Sequence, residues 1–215
     1  FRDATVIADV AVLRSFPSQV FADASHATLT ARVEQLLIDN RVPFQIIYDH
    51  QLNRLGRFRC LVLAGCVALS DRQISQIEQY AQSGGHLCIV GPVATHDEWM
   101  FPREETYFTD EHVADIVRVT DREDILAAIR SACGDHLSLS VDAPLGLCTE
   151  LTEQSNRRLV HLVNYRSTGP ISDVTVRVEV PSGKSVKNVI LASPERKEEA
   201  ALTFEEHDGT VTFIV

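Results

Sequence analysis

The apolar positions change rhythm midway along the chain. In the first half, short apolar runs alternate with segments whose apolar residues recur every three or four positions. The run Ile7-Ala8-Asp9-Val10-Ala11-Val12-Leu13 predicts a buried strand. Residues 27–40 carry Leu29, Val33, Leu36 and Leu37 at helical spacing, and Val42-Pro43 stops that helix. Phe44-Gln45-Ile46-Ile47-Tyr48 reads as the next strand, and Arg59-Cys60-Leu61-Val62-Leu63-Ala64 as a third, apolar on both faces as parallel strands are. Ser70-Asp71 forms an N-cap before a helix presenting Ile74, Ile77 and Tyr80 on one face, and Gly84-Gly85 ends it as a left-handed cap. His86-Leu87-Cys88-Ile89-Val90 is the fourth strand. Asp121 caps a later helix through Ala132, with Ile125, Leu126 and Ile129 inward. This succession predicts an α/β domain: a parallel, flavodoxin-like sheet with helices on both faces.

The second half has no helical pattern. Leu145 to Leu151 and Arg158 to Val163 flank Gln154-Ser155-Asn156, a hairpin signal. Val174-Thr175-Val176-Arg177-Val178-Glu179-Val180 alternates with period two, and Pro181-Ser182-Gly183 turns the chain. Residues 186–191 and 211–215 add strands, parted by Ser193-Pro194 and His207-Asp208-Gly209. Short strands at this spacing predict a small antiparallel β-sandwich. The expected domains are therefore 1–140 and 141–215.

Composition narrows the functions. The 215 residues are 45% hydrophobic, enough for a core in each part, and no apolar run approaches membrane-spanning length. A net charge of −10 disfavours nucleic acid and anionic membrane surfaces as partners. Lysine occurs only at Lys184, Lys187 and Lys197, so the first part lacks any P-loop or Schiff-base lysine. The five cysteines, Cys60, Cys66, Cys88, Cys133 and Cys148, fit no zinc spacing and read mostly as small core residues in a reducing compartment. The expectations are a cytoplasmic protein with no metal and no cofactor. A chain that opens on Phe1, without Met or a signal-peptide apolar segment, is expected to be a piece of a longer polypeptide.

Ligands of such a sheet bind beyond the carboxyl ends of its strands, which directs attention to residues 15–26, 65–70 and 91–101. Ser15, Ser18 and Ser25 approach a helix start and could hold a phosphate, yet Phe16-Pro17 interrupts them and no G-x-G-x-x-G is present, so a plain connecting loop is expected. Cys66 could pose as a nucleophile, but neither His112 nor His136 sits in a suitable setting to serve it. Thr95-His96-Asp97-Glu98-Trp99 concentrates polar groups around the only Trp. It reads either as a metal or acid–base site, or as a loop in which Asp97 caps backbone groups and Trp99 packs against a neighbour. His161, inside an apolar strand, reads as a satisfied core residue, and Glu205-Glu206-His207-Asp208 as a solvated hairpin tip.

The order of several motifs carries a resemblance. Leu69-Ser70-Asp71-Arg72-Gln73, Tyr80-Ala81-Gln82-Ser83-Gly84-Gly85 and Asp97-Glu98-Trp99, preceded by Val42-Pro43-Phe44, Tyr48-Asp49 and Phe58 to Leu63, resemble the trimerisation domain of family 42 β-galactosidases. That domain has a class I glutamine-amidotransferase-like fold without amidotransferase chemistry. Leu159 to Tyr165 and Val189 to Pro194 are similar to the β-sandwich that ends such chains. The resemblance implies a non-catalytic accessory or oligomerisation region of a glycoside hydrolase. Its partners would be a catalytic barrel absent from this chain and further copies of the chain, with carbohydrate met only through the parent enzyme. It transfers no catalytic residue: where amidotransferases carry a nucleophilic cysteine after the fourth strand, this chain reads Val90-Gly91-Pro92-Val93-Ala94-Thr95. The exposed-looking run Trp99-Met100-Phe101-Pro102, with Asp97, Glu98 and Arg103 around it, is the expected interface or lid. Two alternatives stay open: a sugar-binding module in the sandwich using Tyr165, Phe204 or Phe213, and a small-molecule enzyme using Cys66.

Overall fold

The computed structural model describes residues 3–109, 116–119, 122–134, 136–166, 169–194 and 197–215. In chain order the elements are β1 (Thr5–Ile7), β2 (Val10–Arg14), α1 (Phe16–Phe21), α2 (Ser25–Asp39), β3 (Phe44–Tyr48), a 3-10 helix (Asp49–Arg57), β4 (Cys60–Ala64), α3 (Asp71–Gln82), β5 (His86–Val90), β6 (Ile116–Val119) and α4 (Arg122–Ala132). They continue with β7 (Leu139–Asp142), β8 (Leu147–Gln154), β9 (Arg157–Asn164), β10 (Thr175–Glu179), β11 (Val189–Leu191), β12 (Ala200–Leu202), β13 (Phe204–His207) and β14 (Thr210–Ile214). The predicted cap Asp121 and the candidate His112 lie outside the described residues.

Two compact units result. The larger runs over Ala8–Ile38 and Phe44–His136. Its sheet has the order β3-β2-β4-β5-β6, every pair parallel. That is the flavodoxin-like order, in which the first strand lies between the second and the third. β4 is buried along its whole length, which is why its sequence shows no alternation. One face of the sheet, through Ala11, Leu13, Ile47, Leu61, Leu63, Leu87 and Ile89, packs with Leu52 and Leu55 of the 3-10 helix, with Ile74, Ile77 and Tyr80 of α3, and with Phe108.

The smaller unit joins β1 and residues Asp39–Pro43 to the chain from Leu137 onward. It contains antiparallel sheets β1-β8-β9 and β13-β14-β10-β7, with β11-β12 as a separate pair. The alternation along β10 buries Val176 and Val178, and Val176 pairs with Phe213 on one side and Val141 on the other. Arg41 donates from Nε to the Val141 carbonyl (2.9 Å) and from Nη1 to that of Pro144 (3.3 Å).

Several expectations are corrected. The strand foreseen over residues 7–13 is two strands, broken where the Asp9 carbonyl accepts from the amides of Arg59 (2.8 Å) and Cys60 (3.2 Å). Residues 140 and 141, on either side of the expected domain boundary, both belong to β7. The plain loop foreseen after β2 contains helix α1, because Pro17 sits in its first turn, where a missing N–H costs nothing, and Ser15 caps it. Glu205, Glu206 and His207 belong to β13, leaving Asp208-Gly209 as the turn.

Candidate functional site

The carboxyl ends of β2, β4 and β5 converge on Ala68. Its carbonyl accepts from the hydroxyls of Ser15 and Ser18, each at 3.0 Å, and its amide donates to Ser18 Oγ at 2.9 Å. These serines, considered above for a phosphate, are fully buried and committed to holding α1 on the loop after β4.

Beneath them lies a polar plug. His26 opens α2 and is buried; its Nδ1 lies 2.8 Å from the Ala64 carbonyl. A carbonyl only accepts, so Nδ1 carries the proton and Nε2 the lone pair. Nε2 has no hydrogen-bond partner, and burial holds the imidazole below its ordinary pKa. Asp49 accepts from Phe16 N at 2.7 Å and from Gln73 Nε2 at 2.5 Å, and burial raises its pKa. Cys66 Sγ stands 4.0 Å from His26 Nδ1, but that nitrogen's proton is engaged with Ala64, so it cannot receive one from the thiol. Cys66 is fully buried, and burial raises its pKa. A nucleophile needs the opposite shift and access. Of the five thiols only Cys148 is partly exposed. We therefore expect at most one thiol to react with Ellman's reagent in the native protein and all five after denaturation; a second fast native thiol assigned to Cys66 by mass spectrometry would reverse this.

Beyond β5, residues 95–103 form a hairpin fastened to the loop after β4. His96 N donates to Val67 O (2.9 Å), Leu69 N to His96 O (3.2 Å) and Arg103 N to Thr95 O (2.9 Å). Asp97 does cap backbone groups: its Oδ1 accepts from Trp99 N and Phe101 N, both at 2.9 Å. The rings themselves are free of the fold, with Trp99 72% and Phe101 68% exposed, while Met100 and Glu98 are half-buried. Among the described residues Trp99 is therefore not buried under a neighbour. Among the described residues no group of three or more His, Cys, Asp or Glu side chains is placed to hold a metal ion.

The remaining sequence candidates have structural work. Ser70 caps α3, accepting from Gln73 N at 3.3 Å while its own amide donates to Gln73 Oε1 at 2.6 Å. Asp71 pairs with Arg103 at 2.6 Å, tying the hairpin to α3. Gly84 takes the left-handed turn at φ 92°, whereas Gly85 leaves room for the Tyr80 ring. His161 is half-buried, its Nε2 3.0 Å from Thr152 Oγ1. In the smaller unit Phe204 and Phe213 pack on the core, and Tyr165 is exposed.

Sequence reasoning missed α1, which is built inside out. Ser18 faces the interior, while Phe16, Val20 and Phe21 face solvent, and the rings of Phe16 and Phe21 meet edge to face at 6.3 Å. Tyr48, next to the Asp49 that anchors Phe16, is also exposed. The signal available was the run Ser15 to Phe21, free of charge in a chain of net −10.

No protein-family model and no curated protein matches the chain. Solved structures do. α-L-Fucosidase isoenzyme 2 from Paenibacillus thiaminolyticus matches with TM-score 0.75 over 100% of this chain and 47% of that chain, at 14% identity. A GH42 β-galactosidase from G. stearothermophilus matches with TM-score 0.65 over 97% of this chain and 40% of its own, at 9% identity. The β-galactosidase from Bacillus circulans sp. alkalophilus gives 0.65 over 99% and 42%, at 10% identity. The chain spans less than half the length of each. At these identities the likeness is one of fold: nearly the whole chain has the architecture of a part of these glycoside hydrolases.

Proposed function

We propose that this chain is a non-catalytic accessory region of a glycoside hydrolase whose catalytic barrel lies outside it, and that the α/β unit takes part in self-association through α1. Coverage carries the first half of the reading: almost every residue here is matched, against less than half of each enzyme. The closed end of the sheet supports it, since Ser15, Ser18, His26 and Cys66 fill the place where such a fold would hold a ligand. Self-association is supported by α1. A helix that buries serine and exposes two phenylalanines and a valine wastes its apolar area in water. Its lack of charge makes it a place where two acidic copies can meet with little repulsion.

Sedimentation equilibrium at matched micromolar concentrations tests this. Wild type should exceed the monomer mass. Phe16→Ser/Phe21→Ser, at exposed positions, should raise the dissociation constant about thirtyfold or more, as loss of interface aromatics does. Trp99→Ala/Phe101→Ala should leave it unchanged. A monomeric wild type, or an α1 variant of undiminished mass, removes the self-association reading. Turnover of aryl β-galactosides or α-fucosides by the purified chain would remove the non-catalytic one.

A further inference from the structure

The hairpin carrying Trp99 and Phe101 has a second feature at its foot. An open groove of about 400 Å³ is lined by Val93, Thr95, Thr106, Tyr107, Thr109 and Arg118, so Thr95 belongs both to the hairpin and to the groove wall. Arg103 connects the two further, its guanidinium lying 5.2 Å from the centre of the Tyr107 ring while its amide closes the hairpin on Thr95. We propose that hairpin and groove together bind a neutral carbohydrate chain directly, with Trp99 and Phe101 stacking on pyranose faces and the groove taking the sugar hydroxyls. The choice of a sugar among polyhydroxyl ligands rests on the glycoside hydrolase reading; the site itself rests on the following observations.

The backbone that presents the rings is held in a fixed geometry. Asp97 accepts from the amides of both aromatic residues, its own amide donates to Phe101 O at 3.0 Å, and Met100 N returns to Asp97 O at 3.1 Å. Arg103 secures the foot through Leu69 O (2.9 Å) and Asp71 (2.6 Å). A ligand landing here has little loop left to order, which lowers the entropic cost of binding. Two rings on one hairpin tip offer flat apolar faces, the complement of the C–H faces of a sugar.

The groove supplies the polar half. A threonine hydroxyl both donates and accepts, as a sugar hydroxyl does; of the three threonines that line it, Thr95 already has its Oγ1 2.9 Å from His96 Nδ1, which leaves Thr106 as the clearest hydroxyl for a ligand. Among the described residues no carboxylate lines it; Glu105 instead accepts from Tyr107 Oη at 3.0 Å. Arg118, the one cation lining it among the described residues, spends Nη2 on the Phe108 carbonyl at 2.9 Å, which leaves less of it for an anion. The net charge of −10 also turns away acidic polysaccharides, leaving neutral ones. Among its described residues the smaller unit offers Tyr165 alone as an exposed ring.

Trp99 is the only tryptophan, so the tryptophan emission of the whole chain reports on this hairpin alone. Titration with galactotetraose, and with cellotetraose as a second neutral probe, should give a saturable blue shift with at least one of them. Phe101→Ala should weaken half-saturation about 3–10-fold, the worth of one stacked ring. Thr106→Val, which keeps the shape and removes a hydroxyl, should weaken it by a similar factor. Tyr165→Ala should leave it unchanged. The proposal is overturned by the absence of both an emission change and calorimetric heat with either sugar. A shift identical in wild type, Phe101→Ala and Thr106→Val overturns it too, as does a blue shift that follows protein concentration without sugar, which would assign the hairpin to a protein contact. Aryl-glycoside turnover by the same preparation would instead sink the non-catalytic reading, whatever the titration shows.

Discussion

Replacing Phe108 by alanine should cost about 3–5 kcal/mol of stability, the usual penalty for emptying a buried phenylalanine site. Phe108 is fully buried in the core that covers one face of the parallel sheet, although it lies outside every helix and strand. Its backbone is left-handed at φ 57°, and its carbonyl accepts from Arg118 Nη2 at 2.9 Å. The stretch after β5 therefore does the packing that a helix would do elsewhere, through one aromatic ring inserted from irregular backbone. Urea unfolding followed by far-ultraviolet circular dichroism should show a large drop in the midpoint for Phe108→Ala and a smaller one for Phe108→Leu. A loss below about 1 kcal/mol for the alanine variant would mean that the ring is not part of the core.

Gly85→Ala should be the next most damaging change, at about 3 kcal/mol. A Cβ at this position would stand 2.2 Å from Tyr80 Cζ and 2.3 Å from Cε2, so the ring must leave. Tyr80 is buried and donates from its hydroxyl to Phe58 O at 3.3 Å. The cost combines overpacking with the loss of that bond. Gly84→Ala should cost less, about 1–2 kcal/mol, because its left-handed backbone is strained for alanine but nothing stands within 4 Å. In a Tyr80→Leu background the Gly85→Ala penalty should shrink to below about 1 kcal/mol. Equal penalties in both backgrounds would separate Gly85 from Tyr80.

What could be read in the sequence follows from where burial is local. β4 and β5 are apolar runs because both faces of a parallel sheet are covered. α3 announces itself with Ser70, Gln73 and a stripe of Ile74, Ile77 and Tyr80, all within one helix. α1 inverts the rule that apolar residues face inward, so its aromatic residues and Pro17 read as a break. The 3-10 helix over Asp49–Arg57 touches the core only through Leu52 and Leu55, three apart, too sparse a signal to register. The aromatic run at Trp99 was legible by composition, and its exposure could only be settled by where Asp97 sends its oxygen. His26, Cys66 and Asp49 meet only because α2, β3 and β4 converge in space, and no spacing in the chain records that.

The place of β1 has a consequence for synthesis. Thr5 pairs with Glu153 and Ile7 with Leu151, so a segment made before the whole parallel sheet has its partner strand in a segment made after it. The parallel sheet and α4 are complete by Ala132 and can fold while the rest is still being translated. The edge of β1 must wait, unpaired, until β8 emerges. Closing so long a loop is slow, which makes the antiparallel unit the later one to form. During that wait the nascent chain carries an unsatisfied strand beside a finished domain, the species most open to capture by a neighbouring nascent chain or a chaperone.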